Sequence, residues 1–577
     1  MKRTRTFAVT VVLALLFAAF AGIGGSLFYE EWAADADETD PTPGDVIFAK
    51  NFGGVSDDYF TSIVKLPNSG GYVALGYSNR AFSGITATGA PWSIGNNGSN
   101  DAIAICIDEG GNVKWARSFG GAGDDKFLAG TLTRDGRIIA VGSSSSPSSG
   151  NMWGFDNNGG NDALLLILGA DGAWYGGGTY GGKGDDCFTS VALMSDGSIV
   201  AVGYSNAAFR DPYHQQQGPD QTPGQTPNNP GGNNSNETPE WGSWQVGNNG
   251  GYDGIIFVFD RNITINETLN FGGTGNDFFT GVAGTSDGGG LVVGYSNKAF
   301  TIIEGIPGQA QGMAIGNNGG EDGIILKFGP DGILQGAGNF GGTGNDRCTA
   351  VMDLSSGVQV VVGYSNRAFS IPISDWQTTV KNVGNNGGND GIILKFTEGE
   401  VTFAANFGGS GDDRFHSVIK TYEGGYVVVG QTTSSVTTEM GTFANNGGND
   451  ALGVHVTADN VIDGAMSFGG SLSDVFMAVV ETTDRDIICA GHSRSTFEGN
   501  DWAMANNGGS DAILIKASTG TKFPDGGNGG NGGNGGNDSV AESGLFGGQN
   551  IYIFAAVGVV GICAIGAGAF YFFRIRP

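Results

Sequence analysis

The sequence has few of the residues that form covalent bridges or metal centres. Its 577 residues include only 5 cysteines and 4 histidines. The cysteines stand far apart, without C-x-x-C or a similar metal-binding spacing, at Cys106, Cys187, Cys348, Cys489 and Cys563. Exported domains that lack a large core commonly depend on a dense disulfide framework, and this chain has none. An exported protein of this sequence must be held together by its hydrophobic core and by the closure of its fold.

Basic residues are scarce as well. The chain has 28 lysines and arginines against 57 aspartates and glutamates, which gives a formal charge of −29. A nucleic-acid-binding surface needs a basic footprint, so we predict no nucleic-acid partner. An acidic exterior supports solubility and attracts cations.

Signals for catalysis are missing from the sequence. The histidines fall at unrelated positions, and no Ser-His-Asp arrangement emerges from them. No glycine loop of the phosphate-binding kind leads into a helix. The sequence therefore assigns no catalytic residue. We predict a protein that is not an enzyme and requires no cofactor, with calcium as the one cation that its acidic turns could take.

Both ends of the chain carry apolar segments that direct it to a membrane. Residues 1–28 have a basic start, an apolar run and the small-x-small sequence Ala19-Phe20-Ala21, the layout of a signal peptide or of an uncleaved signal anchor. Residues 551–573 are uncharged and long enough to cross a bilayer as a helix. The arginines that follow place residues 574–577 in the cytoplasm.

Two polar segments separate these ends from the body of the chain. Residues 29–45 form an acidic linker, and residues 519–550 are rich in Gly and Asn, as in a flexible stalk. We therefore predict a single-pass protein of the cell membrane whose body lies on the extracellular side.

The body of the chain, residues 46–518, is a repeat. An aromatic residue followed by Gly-Gly occurs seven times, at intervals of about 60 to 70 residues once an insertion at residues 210–240 is removed. The aromatic residues are Phe52, Phe119, Tyr180, Phe271, Phe340, Phe407 and Phe468.

Each unit contains four short runs rich in Val, Ile and aromatic residues, separated by Gly, Asn and Asp, which predicts four β-strands. Seven such units predict an all-β protein, a seven-bladed β-propeller of four-stranded blades, with a C-terminal transmembrane helix. The run that starts at Val46 is a fourth strand without the first three, and the last unit lacks a fourth. The N-terminal strand should therefore complete the last blade and close the ring. A stacked solenoid is the alternative, although it would need capping repeats.

The repeat resembles the SBBP-type β-propeller repeat of bacteria and archaea. The residues that carry the resemblance are Phe271-Gly-Gly-Thr-Gly-Asn-Asp, Val292-Val-Gly-Tyr-Ser and Asp322-Gly-Ile-Ile-Leu-Lys. Such repeats occur in secreted and surface proteins, which agrees with the ends of this chain. The resemblance implies no common enzymatic activity, and a fold does not fix a function.

The turn after the aromatic residue has the form Gly-Gly-x-Gly-x-Asp in five of the seven units and keeps its Asp in all seven. This form is similar to calcium-binding nonapeptides. Those nonapeptides work by tandem stacking, whereas this turn occurs once per unit. Isolated calcium ions at the turns are one hypothesis. The other is that each aspartate accepts backbone hydrogen bonds within its own turn. The candidate ligands are Asp58, Asp125, Asp186, Asp277, Asp346 and Asp413, and Asp474 takes the same place in the seventh unit.

A tryptophan stands four residues before the Asn-Asn turn in four of the seven units, and Met313 takes that place in the fourth unit. We interpret them as packing groups between blades, with stacking on the sugar rings of a bound glycan as the alternative. These candidate ligand-binding residues are Trp92, Trp153, Trp244 and Trp502. In an exported protein the Asn-x-Ser/Thr tripeptides are candidate glycosylation sites, at Asn97, Asn233, Asn236, Asn262, Asn266 and Asn537.

These features predict a cell-surface binding or adhesion protein, or an envelope scaffold, whose partner is a surface glycan or an envelope protein. The insertion at residues 210–240 is either a contact region or a tolerated loop. The alternative function is an extracellular polysaccharide hydrolase or lyase, which would need an asymmetric cluster of acids near the axis of the ring.

Overall fold

The structure is a computed structural model that describes residues 45–68, 70–147, 157–210, 244–302, 312–372, 380–438, 441–498 and 503–519. The predicted signal segment and transmembrane segment lie outside these residues, as do the stalk and the insertion apart from the first residue of each. In the described part of the chain no helix is long and apolar enough to span a membrane.

The described chain forms seven four-stranded antiparallel sheets, each built in the order inner, second, third and outer strand. Blade 1 comprises β2 (Asp58–Lys65), β3 (Tyr72–Ser78), β6 (Asp101–Ile107) and β7 (Val113–Phe119); blade 2, β8 (Asp125–Leu132), β9 (Ile138–Ser144), β10 (Asp162–Leu168) and β11 (Trp174–Tyr180); blade 3, β12 (Asp186–Leu193), β13 (Ile199–Ser205), β16 (Asp253–Phe259) and β17 (Ile265–Phe271); blade 4, β18 (Asp277–Gly284), β19 (Gly290–Ser296), β22 (Asp322–Phe328) and β23 (Leu334–Phe340).

The remaining blades follow the same order. Blade 5 comprises β24 (Asp346–Ser355), β25 (Val358–Ser365), β28 (Asp390–Thr397) and β29 (Glu400–Phe407); blade 6, β30 (Asp413–Lys420), β31 (Tyr426–Thr432), β34 (Asp450–Val456) and β35 (Ile462–Phe468); blade 7, β36 (Asp474–Glu481), β37 (Ile487–Ser493), β40 (Asp511–Ala517) and, as its outer strand, β1 (Val46–Phe52).

In the described part of the chain, small two-stranded hairpins stand between the second and third strands of six blades, in addition to the four strands that the sequence predicted for each unit. They are β4 (Phe82–Ile85) with β5 (Pro91–Ile94), β14 (Phe209–Arg210) with β15 (Gln245–Val246), β20 (Phe300–Ile302) with β21 (Met313–Ile315), β26 (Phe369–Pro372) with β27 (Val380–Val383), β32 (Val436–Thr438) with β33 (Gly441–Phe443), and β38 (Phe497–Glu498) with β39 (Ala503–Met504). We call the end of the ring that carries them the hairpin face.

The ring closes as the repeat phase predicts. Each inner strand contacts the inner strands of both neighbouring blades, and β2 of blade 1 contacts β36 of blade 7. The strand β1 pairs antiparallel with β40, so that Phe52 lies opposite Ala512 and Ala49 opposite Ile515. The chain is therefore an all-β, seven-bladed propeller whose last blade joins residues from both ends of the repeat.

The hydrophobic core lies between blades as well as within them. Every residue of β6 and of β10 is buried, because the third strand of a blade has neighbours on both faces. One hydrophobic cluster joins Phe48 and Leu514 of blade 7 to Phe60 and Ile103 of blade 1. A single blade cannot bury both faces of its sheet, so each blade depends on its neighbours.

The second strand of each blade contains a glycine that is required by a bulge in the neighbouring inner strand. In blade 4 the register shifts between Phe279 and Gly281, opposite Gly294. A Cβ on Gly294 would lie 1.8 Å from the carbonyl oxygen of Phe278, so no other residue fits. This contact explains the Gly of the recurring Gly-Tyr-Ser sequence and recurs at Gly76, Gly142, Gly203, Gly363, Gly430 and Gly491.

Closure by β1 predicts a large effect of truncating its buried face. Phe48 is 8% exposed, whereas its neighbour Ile47 is 45% exposed. We expect Phe48→Ala to lower the free energy of unfolding by about 3–5 kcal/mol and Ile47→Ala by about 0.5 kcal/mol or less. Urea unfolding followed by tryptophan fluorescence measures both. Equal effects of the two variants would show that β1 does not hold the ring closed.

Candidate functional site

Each blade carries two buried aspartates that organise the turns of the hairpin face. The first begins the inner strand and accepts a hydrogen bond from the second glycine of its own turn, as Asp125 Oδ2 does from Gly121 N–H at 2.9 Å. The second begins the third strand and accepts from the Asn-Asn turn, as Asp101 Oδ2 does from Asn97 N–H at 3.0 Å. All seven blades repeat both bonds.

These two turns also join neighbouring blades. The backbone N–H of Asp125 in blade 2 donates to the carbonyl oxygen of Asn100 in blade 1 at 2.8 Å. The equivalent bond is present at all seven interfaces, including that from Asp58 N–H to Ser510 O between blades 1 and 7. The recurring aspartates therefore have a structural task at every interface, and calcium at the turns stays an untested prediction. Among the described residues, no group of three or more His, Cys, Asp or Glu side chains could hold a metal ion.

The two aspartates of an interface approach each other around the first glycine of the turn. A Cβ on Gly272 would lie 2.5 Å from Oδ1 of Asp253 and 2.8 Å from Oδ2 of Asp277. The Oδ1 atoms of both aspartates are buried without a hydrogen-bond partner among the described residues. Burial raises the pKa of Asp277 to about 6, and the charge of Asp253 adds to the rise. Burial has the same effect at Asp58, Asp101, Asp186 and Asp346.

The tryptophans predicted to bind a ligand differ in their surroundings. Trp244 packs against Phe209 and Phe257, with ring centroids 6.0 and 5.3 Å away, and belongs to an aromatic cluster. Trp92 meets Phe82 edge-on at 5.9 Å and also lines a cleft. Trp153 and Trp502 lie outside the described residues. Packing is therefore the observed role of Trp244, whereas Trp92 combines packing with access to a cavity.

A belt of side chains lies on the two innermost strands of every blade, near the hairpin face. It consists of the second residue of each inner strand and its cross-strand neighbour on the second strand. We call these residues the rim; they are Tyr59, Tyr77, Lys126, Ser143, Cys187, Tyr204, Phe278, Tyr295, Arg347, Tyr364, Arg414, Gln431, Val475 and His492.

Rim residues of neighbouring blades contact each other through their rings. Tyr59 packs on His492 across the seam between blades 1 and 7, with ring centroids 4.7 Å apart. Tyr204 packs on Phe278 between blades 3 and 4 at 5.0 Å. Burial lowers the pKa of His492 to about 4, so its imidazole is neutral at pH 7.

Three rim positions are cationic, and each cation lies over a tyrosine ring of the preceding blade. The guanidinium of Arg347 is 4.2 Å from the ring centroid of Tyr295, and that of Arg414 is 4.9 Å from Tyr364. Lys126 takes the same position over Tyr77 at 5.2 Å. The rim therefore presents cations and half-buried aromatic rings, although the chain as a whole is acidic.

Acidic residues beside the rim are engaged by these cations. Arg347 Nη2 donates to Glu321 Oε1 at 2.8 Å. Burial opposes the charge of Arg347, but the bond to Glu321 and the nearby tyrosines outweigh it, and the pKa rises above its ordinary value. Lys126 pairs with Asp124 at 3.0 Å, and Arg414 with its neighbour Asp412 at 3.7 Å.

The rim was not predicted from the sequence, because the candidate site residues were chosen from positions that repeat between units. The residue after the recurrent aspartate changes from blade to blade, from Tyr59 to Lys126 to Cys187, and this variation at a fixed place was the available signal. It became informative only when the fold brought the seven positions into one belt.

Two cavities open on the outside of the ring between neighbouring blades. One of about 530 Å³ lies between blades 3 and 4 and has the exposed Asn262 and Asn266 at its edge. The other, of about 520 Å³, lies between blades 7 and 1 and contains Trp92. We call the second cavity the seam cleft.

The candidate glycosylation sites fall into two groups. Asn262 and Asn266 are exposed on blade 3. Asn97 is exposed too, but its Nδ2 donates to Asp101 Oδ2 at 3.2 Å within the interface turn, so a glycan there would compete with that bond. Asn233, Asn236 and Asn537 lie outside the described residues. Glycosylation stays a prediction at all six.

Comparison with known proteins finds only distant structural similarity, which carries no argument about this chain. The chain is similar to quinohemoprotein alcohol dehydrogenase from Comamonas testosteroni, with 9% identity, a TM-score of 0.36 and coverage of 83% of this chain and 77% of that chain. It is also similar to Sqt1 from Chaetomium thermophilum (12% identity, TM-score 0.25, coverage 74% and 98%) and to the rhamnogalacturonan lyase YesW (10%, 0.24, 82% and 91%). No protein-family model matches the chain, and no curated protein does. Likeness at this level assigns no activity.

The paired aspartates predict a pH dependence of stability. The pKa of about 6 of Asp58 and of Asp277 in the folded chain exceeds the value of about 3.9 for an unfolded aspartate. Between these two pKa values the folded state therefore binds more protons than the unfolded state. The free energy of unfolding should increase as the pH falls from about 7.5 to about 4.5, and this added stability is lost as the pH rises through about 6. Urea unfolding across this range measures the slope.

A matched pair of variants isolates the contribution of one interface. Asp277→Asn cannot titrate and should show a smaller slope than the wild type, whereas Asp331→Asn, at an exposed turn, should keep the full slope. Equal slopes in both variants would contradict the prediction. Stabilisation by calcium at pH 7.5 that a chelator reverses would instead support calcium at the turns.

Proposed function

We propose that this protein is a binding scaffold of the cell surface, which displays a β-propeller outside the membrane and recognises a glycan or a protein of the envelope. The observation that carries the proposal is the rim. Seven blades share one buried framework, yet the rim differs from blade to blade and concentrates tyrosine and arginine, residues that are enriched at recognition surfaces.

The position of the rim suits recognition. Its residues lie on rigid paired strands at the end of the ring that also carries the hairpins, so a ligand would meet preorganised side chains. Most rim side chains are partly exposed, including Tyr77, Tyr295 and Arg347. Planar and anionic groups are the chemistry that such tyrosine–arginine pairs accept.

Display at the cell surface is proposed from the ends of the sequence. The apolar segments at residues 1–28 and 551–573 support secretion and a single-pass anchor, and the stalk at residues 519–550 would hold the ring away from the membrane. Glycosylation of Asn262 and Asn266 is predicted on the same condition, because Asn-x-Ser/Thr tripeptides are modified only in an exported protein.

The alternative, a polysaccharide hydrolase or lyase, has no specific observation in its favour. Such an enzyme needs a pair of carboxylic groups with separated roles near a bound sugar. Three carboxylates beside the rim, at Asp124, Glu321 and Asp412, are each paired with a cation of the rim. Two others accept hydrogen bonds instead, Asp57 from Ser510 N–H and Asp185 from the hydroxyl of Tyr252.

The proposal is tested with the full-length chain in detergent, applied to an array of glycans and to immobilised envelope fractions. We expect saturable binding to a defined subset. Arg414→Ala should weaken it at least about tenfold, because truncating a central arginine at an interface typically costs more than 1 kcal/mol.

The matched control is Arg485→Ala. Arg485 also stacks on a tyrosine, Tyr422, with 3.4 Å between the guanidinium and the ring centroid, but it lies at the opposite end of the strands, away from the rim. It should leave binding unchanged. Equal loss in both variants, or the absence of binding by a folded sample, would contradict the proposal.

A further inference from the structure

The seam cleft joins the two ends of the repeat. It lies between β1, the outer strand of blade 7, and blade 1, under the hairpin β4–β5. Lys50 and Asn51 line one side, and Ile85 and Trp92 line the other. Its volume of about 520 Å³ is within the range of small-molecule sites.

The side chain of Trp92 is held as a flat wall of this cleft. Trp92 lies opposite Gly84 across the hairpin, and a Cβ on Gly84 would lie 2.5 Å from Cζ2 of the indole. The indole therefore rests against the glycine, and Phe82 fixes it edge-on from the side. A fixed aromatic face suits stacking against the apolar face of a sugar ring, because little rotamer entropy is lost on binding.

The hydrogen-bonding groups of the cleft also suit a saccharide. The indole N–H of Trp92 is buried and has no acceptor among the described residues. This N–H lies against Gly84, so the wall presents the face of the indole ring to the cleft. The side chains of Asn112 and Asn507 also line the cleft. Their Nδ2 groups donate to Asp108 Oδ2 and Asp511 Oδ2, and their amide oxygens are the groups that can accept from hydroxyls.

The charge of the cleft distinguishes it from its surroundings. Its lining includes Lys50 and no aspartate or glutamate, although the chain has a formal charge of −29. Lys50 is exposed and has no ion-pair partner among the described residues. By contrast, the cavity between blades 3 and 4 is lined by four carboxylates, at Asp196, Asp260, Glu267 and Asp331, and by one cation, Arg261. A ligand with a negative charge therefore fits the seam cleft and not the other cavity.

We infer that the seam cleft is a binding site for an acidic saccharide, with the sugar ring stacked on Trp92 and its carboxylate paired with Lys50. The inference rests on the proposed function, since an external polysaccharide meets this cleft only if the ring is displayed outside the membrane. The site combines residues from both ends of the repeat, because Lys50 and Trp92 come from its first part and Asn507 from its last unit.

The test is a titration of the full-length chain in detergent with oligogalacturonate and, for comparison, with a neutral malto-oligosaccharide of equal length. Binding is measured by calorimetry and by quenching of tryptophan fluorescence. We expect binding of the uronate oligomer that weakens with salt and little binding of the neutral one. Lys50→Gln should weaken it about three- to fivefold, as for an exposed charge pair.

Two further variants test the stacking wall. Gly84→Ala removes no group that touches the ligand, but its new methyl group must displace the indole of Trp92, so this variant should weaken binding. Trp92→Phe keeps an aromatic face and should retain most of the affinity. The matched controls are Lys114→Gln and Trp115→Phe on β7, a lysine and a tryptophan of the same blade that do not line the cleft. Both should bind as the wild type does.

The outcomes separate this inference from the proposed function. Uronate binding that is unaffected by Lys50→Gln and Gly84→Ala but lost in Arg414→Ala would overturn the cleft and place the ligand at the rim. Equal binding of the neutral oligomer would overturn the role of Lys50. Binding to envelope material without any uronate binding would overturn this inference and leave the proposed function standing, whereas no binding to anything would contradict both.

Discussion

The interface between neighbouring blades is the constraint on which the rest of this structure depends. A four-stranded sheet with apolar side chains on both faces is unstable in water until another sheet covers each face. At every interface the backbone N–H of one blade's first aspartate bonds to the neighbouring blade, and a second aspartate lies across a glycine from it. The Asp and Gly that recur in the sequence are therefore required mainly by the contacts between neighbouring blades, and less by the fold of each blade alone.

Closure makes this set of interfaces complete. Because β1 supplies the outer strand of blade 7, no blade keeps an uncovered face, and the fold needs no covalent bridge at the seam. The four cysteines in the described part of the chain agree with this: Cys106, Cys187, Cys348 and Cys489 are buried and unbridged, and they act as small core residues. At the seam, as at the other interfaces, the outer strand of one blade runs directly into the inner strand of the next, here from β1 to β2. The seam differs in that the outer strand of blade 7 comes from the opposite end of the repeat to the other three strands of that blade.

A symmetric framework leaves function to the positions that break the symmetry. Buried positions repeat because each interface imposes the same geometry, whereas a partly exposed position such as the second residue of the inner strand is free to vary. The tyrosines and arginines of the rim and the aromatic and cationic walls of the seam cleft occupy such free positions. The repeat supplies rigidity, and the departures from it supply the chemistry.

The fold could be predicted because its determinants are local and repeated. The spacing of Phe-Gly-Gly, the strand runs and the split last unit each follow from short-range rules, and together they gave the number of blades, their four strands and the closure. The hydrogen bonds of Asp125 and its equivalents to their own turns were also within reach, since an Asp four residues after a Gly in a turn is a short-range pattern. What the tertiary structure alone decided was which residues meet across blades: that Arg347 lies over Tyr295, that Asp253 faces Asp277, and that Lys50 shares a cleft with Trp92. These contacts join residues far apart in the chain, and their geometry depends on how sheets pack and twist around the ring, which no spacing along the sequence encodes.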